Sequence, residues 1–158
     1  MSSTRFKLVS AVHLYLIRGD HILLLRRHNT GYEDGKLSVI AGHLNGGEQV
    51  REAARREANE EVGVELSAED LRVVGVMHRL TTDERIDWFL TGNRWDGEPE
   101  NREPDRCSEL LWSPLEDLPD DLIPYVRRSI ENYLNERWFD SFGWDDRGKP
   151  VRQRPQGS

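Results

Sequence analysis

The sequence holds a single cysteine, Cys107. No disulfide can close within the chain, which fits a protein kept in a reducing cytoplasm. No apolar run approaches the roughly 20 residues needed to span a bilayer, so no membrane partner is expected. The opening Met-Ser-Ser-Thr-Arg-Phe-Lys leads directly into a strand-like stretch without a small-residue cleavage site, which predicts no signal peptide. An excess of base is also lacking: 29 acids stand against 22 Lys and Arg, a net charge of −7. That balance argues against binding duplex DNA, which rests on Lys/Arg contacts to phosphates. It leaves a small phosphorylated ligand open, because bound metal ions make an acidic cluster anion-binding. Internal repeats are absent.

What is present suits one domain with a single core: 158 residues, 36% of them apolar and 32% charged. The domain is expected over residues 1–147, with 148–158 a disordered tail. Val9 to Ile17 alternates and reads as a strand, Gly19-Asp20 as a turn, and His21 to Leu25 as the returning strand of a hairpin. Arg26 to Lys36 is a polar loop, followed by a short apolar strand, Leu37 to Ala41. From about Glu48 the period becomes helical, with Val50, Ala54, Ala58 and Val62 as an apolar stripe and Gly63 as the C-terminal cap. Its two alanines predict close packing on a sheet. Leu71 to Met77, Ile86 to Leu90 and Leu110 to Trp112 read as further strands, and Leu122 to Leu134 as a last helix behind an acidic N-terminus. The spacing therefore predicts an α/β fold with a mixed sheet between two helices.

The chemistry is concentrated between Gly42 and Val64. Glu57, Glu60 and Glu61 stand at i, i+3 and i+4, so at roughly 100° per residue they share one side of the helix. Carboxylates so close repel one another and call for a cation, and a hard divalent ion with oxygen ligands answers that need.

The same segment resembles the Nudix box, Gly-x5-Glu-x7-Arg-Glu-U-x-Glu-Glu-x-Gly-U, where U is aliphatic. Gly42, Glu48, Arg56, Glu57, Glu60, Glu61 and Gly63 all match; Val64 fits, and Ala58 is smaller than the usual aliphatic residue. The resemblance extends more loosely from about Ser10 to Leu134. It implies an α-β-α sandwich that hydrolyses a nucleoside diphosphate linked to another group (a nucleoside triphosphate, a nucleotide sugar, ADP-ribose or similar), using Mg²⁺ or Mn²⁺. Glu57, Glu60 and Glu61 would hold the metal, with Glu57 doubling as the base that takes a proton from water. Arg56 is read as an orienter of Glu48 or Glu57, and Glu48 as a helix cap and positioning residue. The backbone carbonyl near Ala41 or Gly42 would complete the metal shell, with glycine leaving room for the ion. In some members a Gly-Glu-Pro-x-x-x-Glu run supplies another carboxylate; here that residue is Glu103, set against the alternative of a solvated acidic loop, and Glu98 is the weaker candidate.

Candidate substrate contacts lie around the box. Arg26 and Arg27 end a strand beside it, and alternation sends them to opposite faces. Tyr32 stands in a loop where an aromatic ring can stack on a base, or simply anchor the loop. His43 follows Gly42, and His28 and His78 lie near the site, whereas His13 reads as a structural histidine. Trp88 is core or pocket wall, and Trp112 core. Trp138, Phe139, Phe142 and Trp144 follow the last helix and read as packing or a dimer contact, leaving monomer and homodimer both open. Cys107 reads as a small buried hydrophobe.

Two other functions compete. A nucleotide-binding regulatory module would keep this fold without catalysis, but such proteins lose box glutamates that are present here. An isomerase resembling isopentenyl-diphosphate isomerase needs a cysteine and a histidine upstream of the box, where this chain has no cysteine. RNA decapping remains within the hydrolase reading, against the acidic balance of the chain.

Overall fold

Alternation along β1 (Val9–Arg18) decides the layering. Val12, Leu14 and Leu16 project into one core and Tyr15 into the other, all of them buried. The computed structural model describes residues 4–151. In it β1 runs parallel to β6 (Glu84–Gly92), which pairs antiparallel with β5 (Leu71–Leu80). β1 meets β2 (His21–Arg27) only at Ile17 and Arg18. Beyond that short hairpin β2 diverges to pair with β3 (Leu37–Ser38) and β7 (Cys107–Pro114), while β4 (Ile40–His43) takes the vacated flank of β1. Eight strands thus join in one mixed sheet, with β8 (Phe139–Phe142) parallel to β5 at its edge.

The expected sandwich is present. Helix α1 (Val50–Val62) buries Ala53, Ala54, Ala58 and Val62 against Val12, Leu14, Leu23, Leu25 and Ile40. Helix α2 (Pro124–Leu134) buries Tyr125, Val126 and Ile130 on the opposite face, against Tyr15, Leu24, Met77 and Phe89. Each buried Leu, Ile or Phe side chain contributes about 1.5–3 kcal/mol by leaving water. No helix among the described residues is long and apolar enough to cross a membrane.

Several boundaries differ from the sequence expectation for physical reasons. The apolar run Leu37 to Ala41 is two strands, because its halves pair with β2 and β1 after those strands have parted. The last helix starts at Pro124, since Leu122 and its neighbours are tied to β3 (Leu37 N–H to Asp121 O, 2.9 Å; Ile123 N–H to Leu37 O, 2.9 Å). Its first turn carries no acid; a proline with no N–H to leave unpaired starts it instead. The aromatic stretch after α2 forms β8, locked by buried Asp140, which accepts from Arg128 Nε at 2.7 Å and Asn132 Nδ2 at 2.8 Å. Residues 148–151, expected in a disordered tail, turn back onto the domain, with Val151 N–H donating to Gly143 O at 3.0 Å. The remainder of that tail, 152–158, lies outside the described residues.

Because Ala54 is fully buried where α1 meets the sheet, Ala54→Leu would force helix and sheet apart. Urea unfolding should show a loss of about 1–3 kcal/mol.

Candidate active site

The apolar face of α1 sets how close the helix can approach β4, and its alanines let it come very close. A Cβ built on Gly42 would fall inside the Glu57 carboxylate. The missing side chain at Gly42 lets the Glu57 carboxylate lie directly against the β4 backbone. The helix ends at Gly63, whose positive φ of 72° brings its N–H to Asn59 O at 3.0 Å. Arg102 covers the same glycine so closely that a Cβ there would lie 2.5 Å from its Nε.

Arg56 organises the acids around it. Its guanidinium grips Glu48 with two bonds (Nε to Oε2, 2.8 Å; Nη2 to Oε1, 2.9 Å), meets Glu57 Oε1 at 2.7 Å and Glu60 Oε2 at 3.3 Å, and also reaches His43 O at 3.0 Å. Glu48 accepts in turn from Asn45 N–H at 3.1 Å. It closes the turn before the helix and holds Arg56, but it is not the helix cap the sequence suggested: Gln49 takes the N-cap position, with no side-chain cap bond. The Glu48 carboxyl is held below the usual range, first by Arg56 and then against the opposing effect of burial.

Glu57 and Glu61 are in a different situation. Burial pushes the Glu57 carboxyl up against the pull of Arg56, and the charges on Glu60 and Glu103 push it further. Glu61 keeps some exposure to the cleft, but the protein packed around it withdraws solvent and raises its carboxyl well above the ordinary value; Glu57 and Glu103 add to the effect, and the Ala41 N–H at 3.1 Å opposes it. Glu60 is the most open, with 53% of its side chain exposed against 13% for Glu57. Among the described residues no three such groups already converge as a finished metal cage. The donor set nonetheless fits a divalent cation: all donors are hard oxygens, they crowd one another, and Arg56 compensates only part of their charge.

These carboxylates form one wall of a cleft of about 480 Å³. Gly42, His43, Arg27 and Tyr32 line it together with Glu57, Glu60, Glu61 and Glu103. Arg27 is braced by Tyr32 O at 2.7 Å and Thr30 Oγ1 at 2.9 Å, and its guanidinium lies 5.4 Å from the centre of the Tyr32 ring. Arg26 points elsewhere, into Glu109 at 2.8 Å, Asp121 at 2.6 Å and Gly35 O at 2.8 Å, because adjacent strand residues face opposite ways. Glu98 is also outside the cleft, clamped by Arg18 at 3.0 and 3.1 Å. His28 is not among the cleft-lining residues, nor is His78, which pairs with Glu84 at 2.7 Å.

The sequence reading missed a further group of lining residues. Arg79, Thr82, Arg85, Arg106 and Tyr125 come to the cleft from β5, the turn after it, β6, the loop before β7 and α2. Arg85 Nη1 donates to His43 Nε2 at 3.1 Å while Asp83 holds its Nε at 2.6 Å. Beneath it, buried Arg79 pairs with buried Asp87 at 2.6 Å and lies 3.7 Å from the Tyr125 ring centre. His13 sits on this floor against the Tyr125 hydroxyl at 3.0 Å, its pKa pushed down to about 4 by burial, so it is neutral there. Only the run of polar residues in the turn between β5 and β6 hinted at these residues in one dimension.

A family model described as the NUDIX domain matches residues 7–133. The chain belongs to the Nudix family. At 30% identity over 112 residues it matches the ADP compounds hydrolase NudE of Escherichia coli (strain K12), covering 70% of this chain and 59% of that protein, so it spans less than two thirds of that relative. Among solved structures, a MutT NUDIX hydrolase from Burkholderia pseudomallei superposes with a TM-score of 0.73 at 26% identity, covering 80% of this chain and 98% of that one. A structure described as an ADP compounds hydrolase gives a TM-score of 0.65 at 26% identity, over 84% of this chain and 74% of that one. A MutT protein from Methanosarcina mazei Go1 shares the fold, at 23% identity and a TM-score of 0.72 over 85% and 98% of the two chains.

In this Nudix domain the upward shift at Glu61 has a measurable sign. A carboxyl easier to protonate folded than unfolded costs no stability at low pH and progressively more as pH rises above the unfolded value. In metal-free protein Glu61→Gln should therefore melt above the parent at about pH 8, with the difference shrinking as pH falls toward 5. Melting curves across that range check it; a gap that widened on acidification would contradict the assigned cause.

Proposed function

We propose that this Nudix chain is a metal-dependent pyrophosphohydrolase, acting on a nucleoside diphosphate joined to a second group. One observation carries the reading: a cleft with Glu57, Glu60, Glu61 and Glu103 on one wall and Arg27, Arg79, Arg85 and Arg106 among its other lining residues. A pyrophosphate needs both, cation-holding oxygens on one side and guanidinium donors on the other. Retention of every box glutamate favours hydrolysis over a purely regulatory binding role.

Glu57, Glu60, Glu61 and Glu103 would hold Mg²⁺, or Mn²⁺ in its place. Such an ion supplies neutralisation of charge on the pyrophosphate oxygens and lowers the pKa of water from about 15.7 toward neutrality. Glu57 takes the proton from the attacking water. Arg56 fixes the direction of its carboxylate. Arg27, carried on the Tyr32 loop, donates to a phosphate oxygen with its planar fork. Tyr32 stacks on the base, and His43, held by Arg85, lies along the substrate path. Attack of water on one phosphorus and departure of the other phosphate yields two phosphate monoesters when both ends are substituted.

The relatives named as ADP compounds hydrolases make ADP-linked molecules the first substrates to assay, with the chain's partial coverage of NudE as the reason for a wide panel. ADP-ribose, dinucleoside polyphosphates, nucleotide sugars and nucleoside triphosphates, each with Mg²⁺, should include a substrate that releases nucleotide. On that substrate Glu57→Gln is expected to lower kcat about 10²–10⁴-fold, and Glu61→Gln to raise the metal concentration needed for activity. Unchanged turnover in both variants would refute the assignment of α1 as the catalytic helix.

A further inference from the structure

Among the described residues Glu103 is the only carboxylate lining the cleft that α1 does not carry, so its position depends on how the segment 96–107 is fastened. The fastening begins far from the cleft. Asp96 and Glu65 exchange backbone bonds of 2.9 and 3.1 Å, and Arg18 grips Glu98. The segment then docks on the C-terminal end of α1: Glu100 N–H donates to Val62 O at 2.9 Å, and Arg102 N–H to Glu61 O at 3.0 Å. These are carbonyls that a helix end leaves without partners in its own backbone. The loop that carries Glu103 is thereby keyed to the helix that carries Glu57 and Glu61.

The last link is a side chain. Asn101 Oδ1 accepts from Glu103 N–H at 3.1 Å, and Asn101 Nδ2 donates to Cys107 O at 2.6 Å. Glu103 O accepts from Arg106 N–H at 2.9 Å and Cys107 N–H at 2.8 Å. Asn101 therefore spans from Glu103 to the first residue of β7, and both its bonds end on the tight turn that presents the Glu103 carboxylate. It is half-buried and does not itself line the cleft.

We propose that Asn101 is a positioning residue that, by bridging Glu103 N–H and Cys107 O, sets the Glu103 carboxylate toward Glu57 and Glu61 for binding the divalent ion. The inference rests on the reading of the cleft as a metal site. Replacing Asn101 strips two backbone groups of their partner and frees the turn, so the ion loses a prepared ligand; changes behind ligands of this kind typically weaken metal binding about 10–100-fold.

The test is a cycle of Mn²⁺ titrations on the metal-free full chain, reading free Mn²⁺ by electron paramagnetic resonance, with melting curves beside it. Asn101→Ala should weaken Mn²⁺ binding about tenfold and Glu103→Gln at least as much. The double variant should bind no more weakly than Glu103→Gln alone, because Asn101 has nothing left to aim. Independent, multiplying losses would overturn the positioning role, as would unchanged binding in Asn101→Ala; either leaves the metal site standing. Unchanged binding in Glu103→Gln would overturn both this inference and the ligand role of Glu103. Should Asn101→Ala fail to fold, Asn101→Ser, too short to reach both partners, takes its place in the cycle.

Discussion

The closeness of α1 to β4 is the constraint on which the site depends. Alanines at 53, 54 and 58 bring the helix down on the sheet, and Gly42 has no side chain to hold it off. The carboxylate of Glu57 occupies that space, and Glu61 reaches the Ala41 N–H one helical turn further on. Bulk at any of these positions would separate the two elements and carry the acids out of the cleft. Core packing and chemistry are here the same contact seen from two sides.

Acids brought so close must be managed electrostatically, and the molecule does this unequally. Arg56 engages Glu48, Glu57 and Glu60, binding Glu48 most completely. Its side-chain bonds go to Glu48, Glu57, Glu60 and the His43 carbonyl, and none of them reaches Glu61 or Glu103. Across the cleft, the buried Arg79–Asp87 pair is sustained by two bonds and the Tyr125 ring. An ion pair out of water is worthwhile only with such complete partnering. It also keeps a guanidinium at a fixed place in the floor, beside a neutral His13.

The box was legible because its chemistry is local: helical spacing alone puts Glu57, Glu60 and Glu61 on one side, and the glycines mark where the backbone must turn or be approached. The sandwich was legible for a similar reason, since each strand and helix carries its own period. Arg26 and Arg27 show where such reading stops. They are neighbours of identical type, and only the pairing of β2 with β7 and β3 decides which one meets the cleft. The split of Leu37 to Ala41 and the formation of β8 likewise depend on partners distant in sequence.

By itself the sequence determined the acid-bearing helix and the fold around it, since spacing along one element and alternation along each strand are one-dimensional properties. Only the tertiary structure decided what faces that helix. Arg79, Arg85, Arg106 and Tyr125 lie on three separate elements and the loop before β7, and no spacing relates them until the sheet is built. The same holds for Glu103, whose carboxylate joins the others because its loop completes the end of α1. Hydrogen bonds between segments far apart in the chain made that assignment, and such bonds leave no periodic trace in the order of residues.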